Sequence, residues 1–401
     1  MSSSTLYAPS VASLVECCIA DAAMQSGRID TPSVVVSPYR FNPLGAHIDH
    51  QRGAVLARCL NQFTVLCFWP MQTEHCVLHA RLRNDWELTR FAPGELQDEY
   101  GWDSMARASA AALGQVHDLD YGMEAVVSGT LISGGLSSSA SVILAYLTAL
   151  AAVNDIALSA VDLVELSRQV ENDYRGLNNG IQDQMSIAFG QKDHLALLDV
   201  HDISVELIPD PASVGDVCFL MCYSGVSRDL GGSPFNSRVA ECQQAAKRLH
   251  TGAEHLGQVP AAARSVKEVN NLPVNLARRA RHVYSEMGRV HAGVEAWQVG
   301  DWRQFGQLMN ESCRSSIDDY ESGSEWLIAL HEIALTLPGV FGNRFSGGGY
   351  GGCLFMLVQK TEIGSIADSL LSQYLARYPD KKGLARVVVA ESESRVRIIQ
   401  P

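Results

Sequence analysis

The pattern of apolar and polar positions along the 401-residue chain alternates between helix-like and strand-like stretches. Apolar residues recur at helical spacing in some segments, and continuous apolar runs bounded by turn residues predict strands in others. The predicted strands lie within 34–41, 54–69, 122–131, 195–207, 217–223, 352–358 and 385–390. The predicted helices lie at 11–25, 101–113, 140–153, 160–172 and 362–377, with a mostly helical region over 236–334. Mixed elements in both halves, with a boundary near 200–215, predict two α+β domains.

An uncharged stretch over residues 125–154 raises the question of a membrane span. Its continuous apolar part, 140–153, is shorter than the roughly 20 residues that a helix needs to cross a bilayer. We therefore expect a buried core helix there. The first ten residues lack a basic segment followed by an apolar one, so we expect no secretory signal.

Composition and charge exclude some classes of function. Apolar residues make up 47% of the chain and charged residues 19%, as in ordinary globular proteins. The 31 Lys and Arg residues against 44 Asp and Glu give a net charge of −13, which argues against a surface built for nucleic acid. The 10 cysteines form no CxxC pair, so we expect free thiols in a reducing cytoplasm.

The sequence GGLSSSA at 134–140 lies between a predicted strand and the apolar helix. Glycine lets a ligand approach the backbone closely. Serine hydroxyls add donors, and the N-terminus of a helix offers free N–H groups and the positive end of a dipole. This combination favours an anion cradle, most plausibly for nucleotide phosphates. The alternative is an N-capped helix after a flexible turn.

A second glycine-rich segment, SGGGYGGC at 346–353, contains a formal GxGxxG pattern. A dinucleotide-binding loop follows a strand and opens a helix, whereas this segment leads into the strand-like run CLFMLV. The segment therefore predicts a backbone packed tightly against a ligand or another loop, and not a dinucleotide site.

Further polar side chains occur in RFNPLGAHIDH at 40–50 and in GIQDQ at 180–184. His47, Asp49 and His50 could ligate a metal, but no other ligands cluster nearby, and a turn that binds a hydroxyl-rich ligand fits better. Near a phosphate cradle, Glu171 and Asp183 would act as metal ligands or bases, although each alone could be a solvated surface charge. The sequence contains no Walker A motif, no protein-kinase motif pair and no HExxH.

Three of these segments, in this order and at these separations, resemble the GHMP small-molecule kinases, and specifically the galactokinase branch. The matching text is Arg40-x-Asn42-x-x-Gly45-x-His47-x-Asp49, then GGLSSSA, then SGGGYGGC, within a similarity spanning about 34–358. The resemblance implies an α+β fold of two domains. These are an N-terminal domain like domain 2 of ribosomal protein S5, over 1–208, and a ferredoxin-like α/β C-terminal domain, over 209–401. The active site would lie in the cleft between them.

The resemblance also implies roles for individual residues. Asp183 would be the catalytic base, and Arg40 its electrostatic partner that keeps the carboxylate ionised. Ser138 and Glu171 would hold Mg²⁺. The residues implied to bind ATP are Gly134, Gly135, Ser137, Ser138, Ser139 and Trp102. The residues implied to bind the sugar are Ala46, His47, Asp49, Gly180, Phe235 and Gly347.

One departure from the galactokinase pattern bears on the substrate. Galactokinases have Gly-Glu-His where this chain has Gly45-Ala46-His47, and their glutamate hydrogen-bonds the sugar's 6-hydroxyl. Alanine removes a negative charge that would repel a carboxylate at C6, so the substitution points to a uronic acid. The string GAHIDHQ is also similar to plant-type galacturonokinases. We therefore expect ATP-dependent phosphorylation of D-galacturonate at C1.

Some alternatives stay open at this point. Phe235 stands where galactokinases have a tyrosine that contacts the sugar, and the cation that would face a C6 carboxylate is unresolved, with Arg52 and Arg228 candidates by proximity alone. Galactokinase is the second expected activity, ahead of kinases for L-arabinose or N-acetylgalactosamine. A non-catalytic sensor of sugar and ATP is disfavoured by the intact phosphate loop. The expected partners are the sugar and ATP, with no nucleic acid or membrane, and the oligomeric state is undetermined.

Overall fold

The computed structural model of the chain describes residues 6–82, 85–96, 101–130, 136–174, 180–227 and 234–400. Gly134, Gly135 and Arg228, which the sequence analysis named, lie outside these residues. The strands are β1 (Ser33–Leu44), β2 (Val55–Pro70), β3 (Cys76–Leu82), β4 (Asp85–Phe91), β5 (Met123–Gly129), β6 (His194–Asp199), β7 (Ser204–Pro209), β8 (Val217–Tyr223), β9 (Val340–Phe345), β10 (Cys353–Gln359), β11 (Arg386–Ala390) and β12 (Arg397–Ile399).

Helices pack on both faces of each sheet. They are α1 (Val11–Ser26), α2 (Ser104–Gly114), α3 (Ser138–Val153), α4 (Ala160–Gln169), α5 (Gln182–Phe189), α6 (Phe235–Leu249), α7 (Val266–Asn270), α8 (Val274–Val299), α9 (Trp302–Asp318), α10 (Glu325–Ala334) and α11 (Ile363–Arg377). A π-helical turn, Val170–Tyr174, extends α4.

The first domain is built on an eight-stranded sheet with the order β12-β1-β2-β5-β3-β4, to which β6 and β7 attach beside β2. The long antiparallel pair of β1 and β2 forms its centre. Pro38 lies within β1, and the pairing register shifts between Pro38 and Tyr39. Proline has no N–H to donate to the ladder, so it is tolerated at such an irregularity. The irregularity lies just before Arg40, a predicted site residue.

Helix α3 confirms the expectation of a buried core helix, because 10 of its 16 residues are buried. It packs on β1 and β2 and against α2, α4 and α5. Within the part of the chain that the structure describes, no helix is long and apolar enough to cross a membrane.

The second domain is built on the four-stranded antiparallel sheet β11-β8-β10-β9. Its core is continuous with that of the first domain. The ring of Phe41 in β1 stacks on Phe355 in β10, with centroids 4.3 Å apart, and meets Phe219 in β8 edge-on. Helix α8 of the second domain also packs on β1, β2 and β7. The C-terminal end of β1 and the N-terminal end of β10 therefore meet in one apolar core.

The prediction of a two-domain α+β fold is confirmed, and several details differ from the sequence pattern. Strand β1 extends to Leu44, where a turn was expected from residue 42, and helix α5 and the β3–β4 hairpin were not predicted. The sheets change between Pro209 and Val217, but β12 adds a strand from the far end of the chain to the first sheet. The division into 1–208 and 209–401 therefore stays a prediction.

Candidate active site

A buried ion pair between Arg40 and Asp183 lies at the junction of the two domains. Arg40 in β1 is only 1% exposed, and its Nε donates to Oδ1 of Asp183 at 2.7 Å, while Nη2 donates to the same oxygen. Its Nη1 donates to the Ser346 hydroxyl at 3.3 Å. A buried guanidinium requires such partners because desolvation of an unpaired charge is costly. The pair therefore fixes the Asp183 carboxylate at the base of the cleft.

Asp183 is also held by the loop that precedes α3. It lies in the first turn of α5, where the helix dipole favours an anion, and its Oδ2 accepts a hydrogen bond from the Ser137 hydroxyl. Ser137 has φ 58° and ψ 43°, a left-handed conformation that is unusual for a residue other than glycine. Such strained residues are found preferentially at functional sites.

A second carboxylate, that of Asp49, lies in the same cleft. The cleft is lined by Arg40, His47, Asp49, Gly180, Gln182, Asp183, Phe235, Gly347 and Gly348. A Cβ atom at Gly180 would lie 2.0 Å from Oδ2 of Asp49, so only glycine allows this approach. Burial, together with the charge of Asp183, raises the pKa of Asp49 to about 6. Asp49 is therefore a buried acceptor that is mostly ionised at pH 7.

His47 projects from the same loop and is held by the second domain. Its ring stacks on Tyr320 at 4.2 Å with an interplanar angle of 5°. Its Nε2 lies 3.1 Å from the Ser322 hydroxyl, which itself donates to the Ser316 carbonyl, so Nε2 carries the proton of this bond. His50 Nε2 lies 3.0 Å from the Tyr320 hydroxyl. Burial lowers the pKa of His50 to about 3, so this imidazole is neutral at pH 7.

Two side chains of helix α8 form hydrogen bonds to the backbone of Gly45 and Ala46. Glu286 is fully buried and accepts from the N–H groups of Gly45 at 2.7 Å and of Ala46 at 2.9 Å. The Ala46 carbonyl accepts from Nε2 of His282 at 2.9 Å. Ala46 itself is 4% exposed and is not among the residues that line the cleft. The second domain thus fixes the main chain at the position where this sequence departs from galactokinases.

The serine-rich loop meets Glu171 beside this cleft. The Ser139 hydroxyl donates to Oε1 of Glu171 at 3.0 Å, and the Gln184 amide donates to Oε2 at 2.7 Å. The sequence analysis named Ser138 as the serine that would hold Mg²⁺ with Glu171; Ser139, whose side chain points about 100° away from that of Ser138, is the serine that hydrogen-bonds Glu171, and the metal role of Ser138 stays a prediction. A hydroxyl with a carboxylate is a donor set suited to Mg²⁺. No cluster of three or more His, Cys, Asp or Glu that could hold a metal occurs in the described residues, so phosphate oxygens and water would complete a Mg²⁺ shell.

The glycine-rich segment forms the loop between β9 and β10, and it is not a dinucleotide-binding turn. It is closed by the Ser346 N–H, which donates to the Cys353 carbonyl at 3.0 Å. Gly349 has φ 83°, and a Cβ atom there would lie 2.7 Å from the Phe345 ring. These restrictions explain the glycines, and they bring Gly347 and Gly348 to the cleft wall.

Of three other residues named in the sequence analysis, one lines the cleft and two do not. Phe235, the first residue of α6, lines the cleft and lies 6.0 Å from the His50 ring, edge to face. Trp102 is partly buried just before α2 and packs against the core that contains α3, so its adenine role stays a prediction. Arg52 is exposed and lies beside His201 on the surface, away from the cleft lining.

Sequence reasoning missed the second layer of the site. Glu286, His282, Tyr320 and Ser322 hold the sugar-signature loop, yet they lie more than 230 residues away along the chain. Nothing in their local sequence separates them from ordinary helix and loop positions.

The two-domain fold, with a strained serine loop and an Asp–Arg pair facing a glycine-rich turn, defines a small-molecule kinase. Residues 104–191 match the GHMP kinases N terminal domain, and residues 293–376 match the GHMP kinases C terminal family. The chain is 35% identical over 395 residues to the galacturonokinase of Arabidopsis thaliana, covering 91% of this chain and 93% of the relative. It is 30% identical over 355 residues to the galactokinase of Enterococcus faecalis, covering 87% and 90%.

The comparison with solved structures agrees with this assignment. The crystal structure of Lactococcus lactis galactokinase complexed with galactose matches with a TM-score of 0.86 and 27% identity, covering 95% of this chain and 99% of that chain. The chain belongs to the GHMP kinase family. It is a sugar kinase, a phosphotransferase that uses ATP and acts on a hydroxyl group. The expectation of an enzyme in place of a non-catalytic sensor is therefore supported.

Proposed function

We propose that the protein phosphorylates the anomeric hydroxyl of D-galacturonate with ATP, giving α-D-galacturonate 1-phosphate and ADP. The observation that carries the proposal is Ala46 within an otherwise intact sugar signature. Glu286 and His282 hydrogen-bond the backbone of Ala46 and fix this position. A movement of the loop therefore does not bring in an acceptor in place of the glutamate that galactokinases have here. The similarity to a galacturonokinase supports the same substrate.

The proposed chemistry uses the contacts of Asp183. Its carboxylate takes the proton of the C1 hydroxyl as the C1 oxygen forms a bond to the γ-phosphorus of ATP. The bond from the γ-phosphorus to the β–γ bridging oxygen breaks, and ADP leaves. Arg40 holds Asp183 in place and supplies positive charge beside the developing phosphoryl anion. The anomeric hydroxyl is more acidic than other sugar hydroxyls, so a weak base suffices.

Other residues bind and orient the two substrates in this proposal. Asp49 accepts hydrogen bonds from sugar hydroxyls, and His47, Gly180, Phe235 and Gly347 shape the wall against which the ring lies. The N-terminus of α3 and the serine loop bind phosphate oxygens. Mg²⁺, held by Glu171 with a loop serine, would screen the phosphate charges. The 10 free cysteines fit the proposed cytoplasmic location.

A substrate panel with galacturonate, glucuronate, galactose and L-arabinose tests the proposal. We expect kcat/KM for galacturonate to exceed that for every other sugar by at least about tenfold, since tenfold corresponds to only about 1.4 kcal/mol. ADP release in the presence of Mg-ATP is the measurement. Equal or better turnover of galactose would instead favour galactokinase, the activity of the L. lactis structural relative.

Replacing Ala46 with glutamate should shift the preference toward galactose. A carboxylate at this buried position would lie close to the uronate, and the repulsion between two poorly solvated charges should lower kcat/KM for galacturonate by about 10-fold to 100-fold. Ala46→Gln is the matched control, because it adds the same volume without the charge. Charge repulsion is excluded as the cause if Ala46→Gln and Ala46→Glu reduce galacturonate turnover equally, since the added volume alone would then explain the loss.

The pH dependence of sugar binding should follow Asp49. Burial and the charge of Asp183 raise its pKa to about 6, so the carboxylate that accepts from the sugar becomes protonated as the pH falls from 7 to 5. We expect KM to rise about tenfold over this interval, for neutral galactose as well as for galacturonate. Steady-state kinetics of Asp49→Asn supply the control. This variant should bind sugar weakly with a flat profile, and an unchanged acid limb in it would rule out Asp49 as the titrating group.

A further inference from the structure

A cluster of arginines and glutamates lies directly behind the sugar-signature loop and carries an excess of positive charge. Three guanidinium groups, of Arg238, Arg278 and Arg279, share only two carboxylates, those of Glu241 and Glu321. Three positive charges against two negative ones leave one positive charge. The cluster is within reach of the cleft because Arg279 lies 5.9 Å from the face of the Tyr320 ring, which stacks on the cleft residue His47.

Arg238 is the member of the cluster that shares a helix with the cleft-lining residue Phe235. It lies one turn after Phe235 on α6, and residues three apart share a helix face. Two of its nitrogens are engaged, Nη1 with Glu241 at 3.1 Å and Nη2 with Glu321 at 3.2 Å. Its buried Nε has no hydrogen-bond partner in the described part of the chain. Arg238 therefore has a charge-bearing donor that none of the described residues satisfies.

Tyr350 supplies a second such donor. It lies in the glycine-rich loop, two residues beyond the cleft residue Gly348, and its buried hydroxyl also has no partner in the residues that the structure describes. Burial raises the pKa of Tyr350, while the charges of Arg238 and Arg279 oppose the rise, so the phenol keeps its proton at pH 7. A buried polar group without a partner costs free energy and is rare in native proteins.

We infer that Arg238 and Tyr350 bind the C6 carboxylate of the sugar acid, an assignment that rests on the proposed function. A carboxylate has two oxygens and only accepts hydrogen bonds, so it takes one from the Arg238 Nε–H and one from the Tyr350 O–H. Its charge neutralises the excess positive charge of the cluster. Ala46 and this cluster then act together, because the first omits a repelling charge and the second supplies an attracting one.

Two conservative variants test this assignment. Tyr350→Phe removes only the hydroxyl, and Arg238→Lys keeps the charge but removes the Nε–H. For each, we expect the ratio of kcat/KM for galacturonate to kcat/KM for galactose to fall by at least about tenfold, mainly through KM for galacturonate, as for the loss of a hydrogen bond to a charged group. Retention of the wild-type ratio in both variants would overturn the assignment.

Matched controls separate carboxylate binding from structural damage. Tyr284→Phe removes another buried hydroxyl without a partner in the described residues, one that lies beside Arg264, outside the cluster. Arg281→Lys changes a neighbouring arginine on the same helix, which pairs with Asp319 at 3.4 Å outside the cluster. Both controls should leave the substrate ratio within about twofold, and an equal fall in them would overturn the assignment. The substrate panel with the wild-type enzyme tests the proposed substrate separately. If the wild-type enzyme prefers galactose, the proposed function is wrong. If it prefers galacturonate and the variants retain this preference, only the present inference is wrong.

Discussion

Asp183→Asn should lower kcat by about 10³-fold while changing KM for the sugar and for ATP only a few-fold. The amide keeps the shape of the side chain but cannot take the proton of the anomeric hydroxyl, and the loss of a positioned general base typically costs 10²–10⁴-fold. The substitution also removes the negative partner of Arg40, which is buried. The positive charge beside the transferring phosphoryl group is then no longer held in one place.

The measurement is a single-turnover phosphorylation assay, paired with thermal unfolding of the same samples. Removing one member of a buried ion pair is destabilising in itself, so a matched control is needed. Asp210→Asn provides it, because Asp210 pairs with buried Arg58 through two bonds of 2.7 and 2.6 Å at a distance from the cleft lining. The control should lose comparable stability and keep its kcat. A kcat of Asp183→Asn within tenfold of the wild type would exclude Asp183 as the base.

The parts of this site that the sequence could predict are those whose chemistry is local. A strand, a glycine–serine loop and an apolar helix follow one another over 122–153, so the loop before α3 could be located from spacing alone. The motif resemblance then linked Arg40 to Asp183, and the structure joins them in an ion pair. The site roles of these residues stay predictions until they are tested by substitution.

The remaining parts depend on contacts between distant segments. Glu286 and His282 belong to α8, a helix rich in arginine and histidine, where a glutamate is ordinarily a solvated residue. Only the packing of α8 on β1 turns this glutamate into a buried acceptor for the Gly45 and Ala46 N–H groups. The hydrogen bond of Ser139 to Glu171 has a similar origin, because the rotation of α3 about its axis is fixed by tertiary packing and not by the order of three serines.

The net charge of the chain could be read from the sequence, whereas the charges at the cleft depend on which distant residues the fold brings together. The net charge of −13 excluded a nucleic-acid surface, but it did not describe the cleft. Buried Arg40 and the arginine cluster around Arg238 place guanidinium groups in and near a cleft whose lining also holds the carboxylates of Asp49 and Asp183. In the proposed reaction, an acidic sugar and ATP, both anions, would therefore be bound through these guanidinium groups although the protein as a whole is negatively charged.

Glu286→Gln should have the largest effect on stability. Burial alone would raise the pKa of Glu286, but Arg289, Arg344, His282 and the Ser312 hydroxyl lower it to about 2, against an ordinary value of 4.5. A pKa that is lower in the folded state stabilises the fold at pH values above 4.5, and this contribution is lost as the pH falls from about 4.5 to about 2. A difference of this size corresponds to about 3 kcal/mol.

At pH 7 we expect Glu286→Gln to lower the free energy of unfolding by about 3–5 kcal/mol, because the buried Arg344 and the partly buried Arg289 lose their counter-charge. Denaturant titrations at pH 7, 5 and 3 should show the gap between variant and wild type narrowing toward low pH, as the wild-type carboxylate becomes protonated. Glu295→Gln, an exposed position on the same helix, is the control and should change the free energy of unfolding by less than about 0.5 kcal/mol.

The kinetics of Glu286→Gln should also show that Glu286 positions the sugar-binding loop and takes no part in the chemical step. Glu286 holds the N–H groups of Gly45 and Ala46, so its loss should release the loop that carries His47 and Asp49. KM for the sugar should then rise by about tenfold or more, while kcat at saturating sugar falls only a few-fold, because Asp183 and Arg40 are held by other contacts. A fall in kcat with an unchanged KM would contradict this role, since a purely structural loss of folded enzyme lowers the apparent kcat and leaves KM as it was.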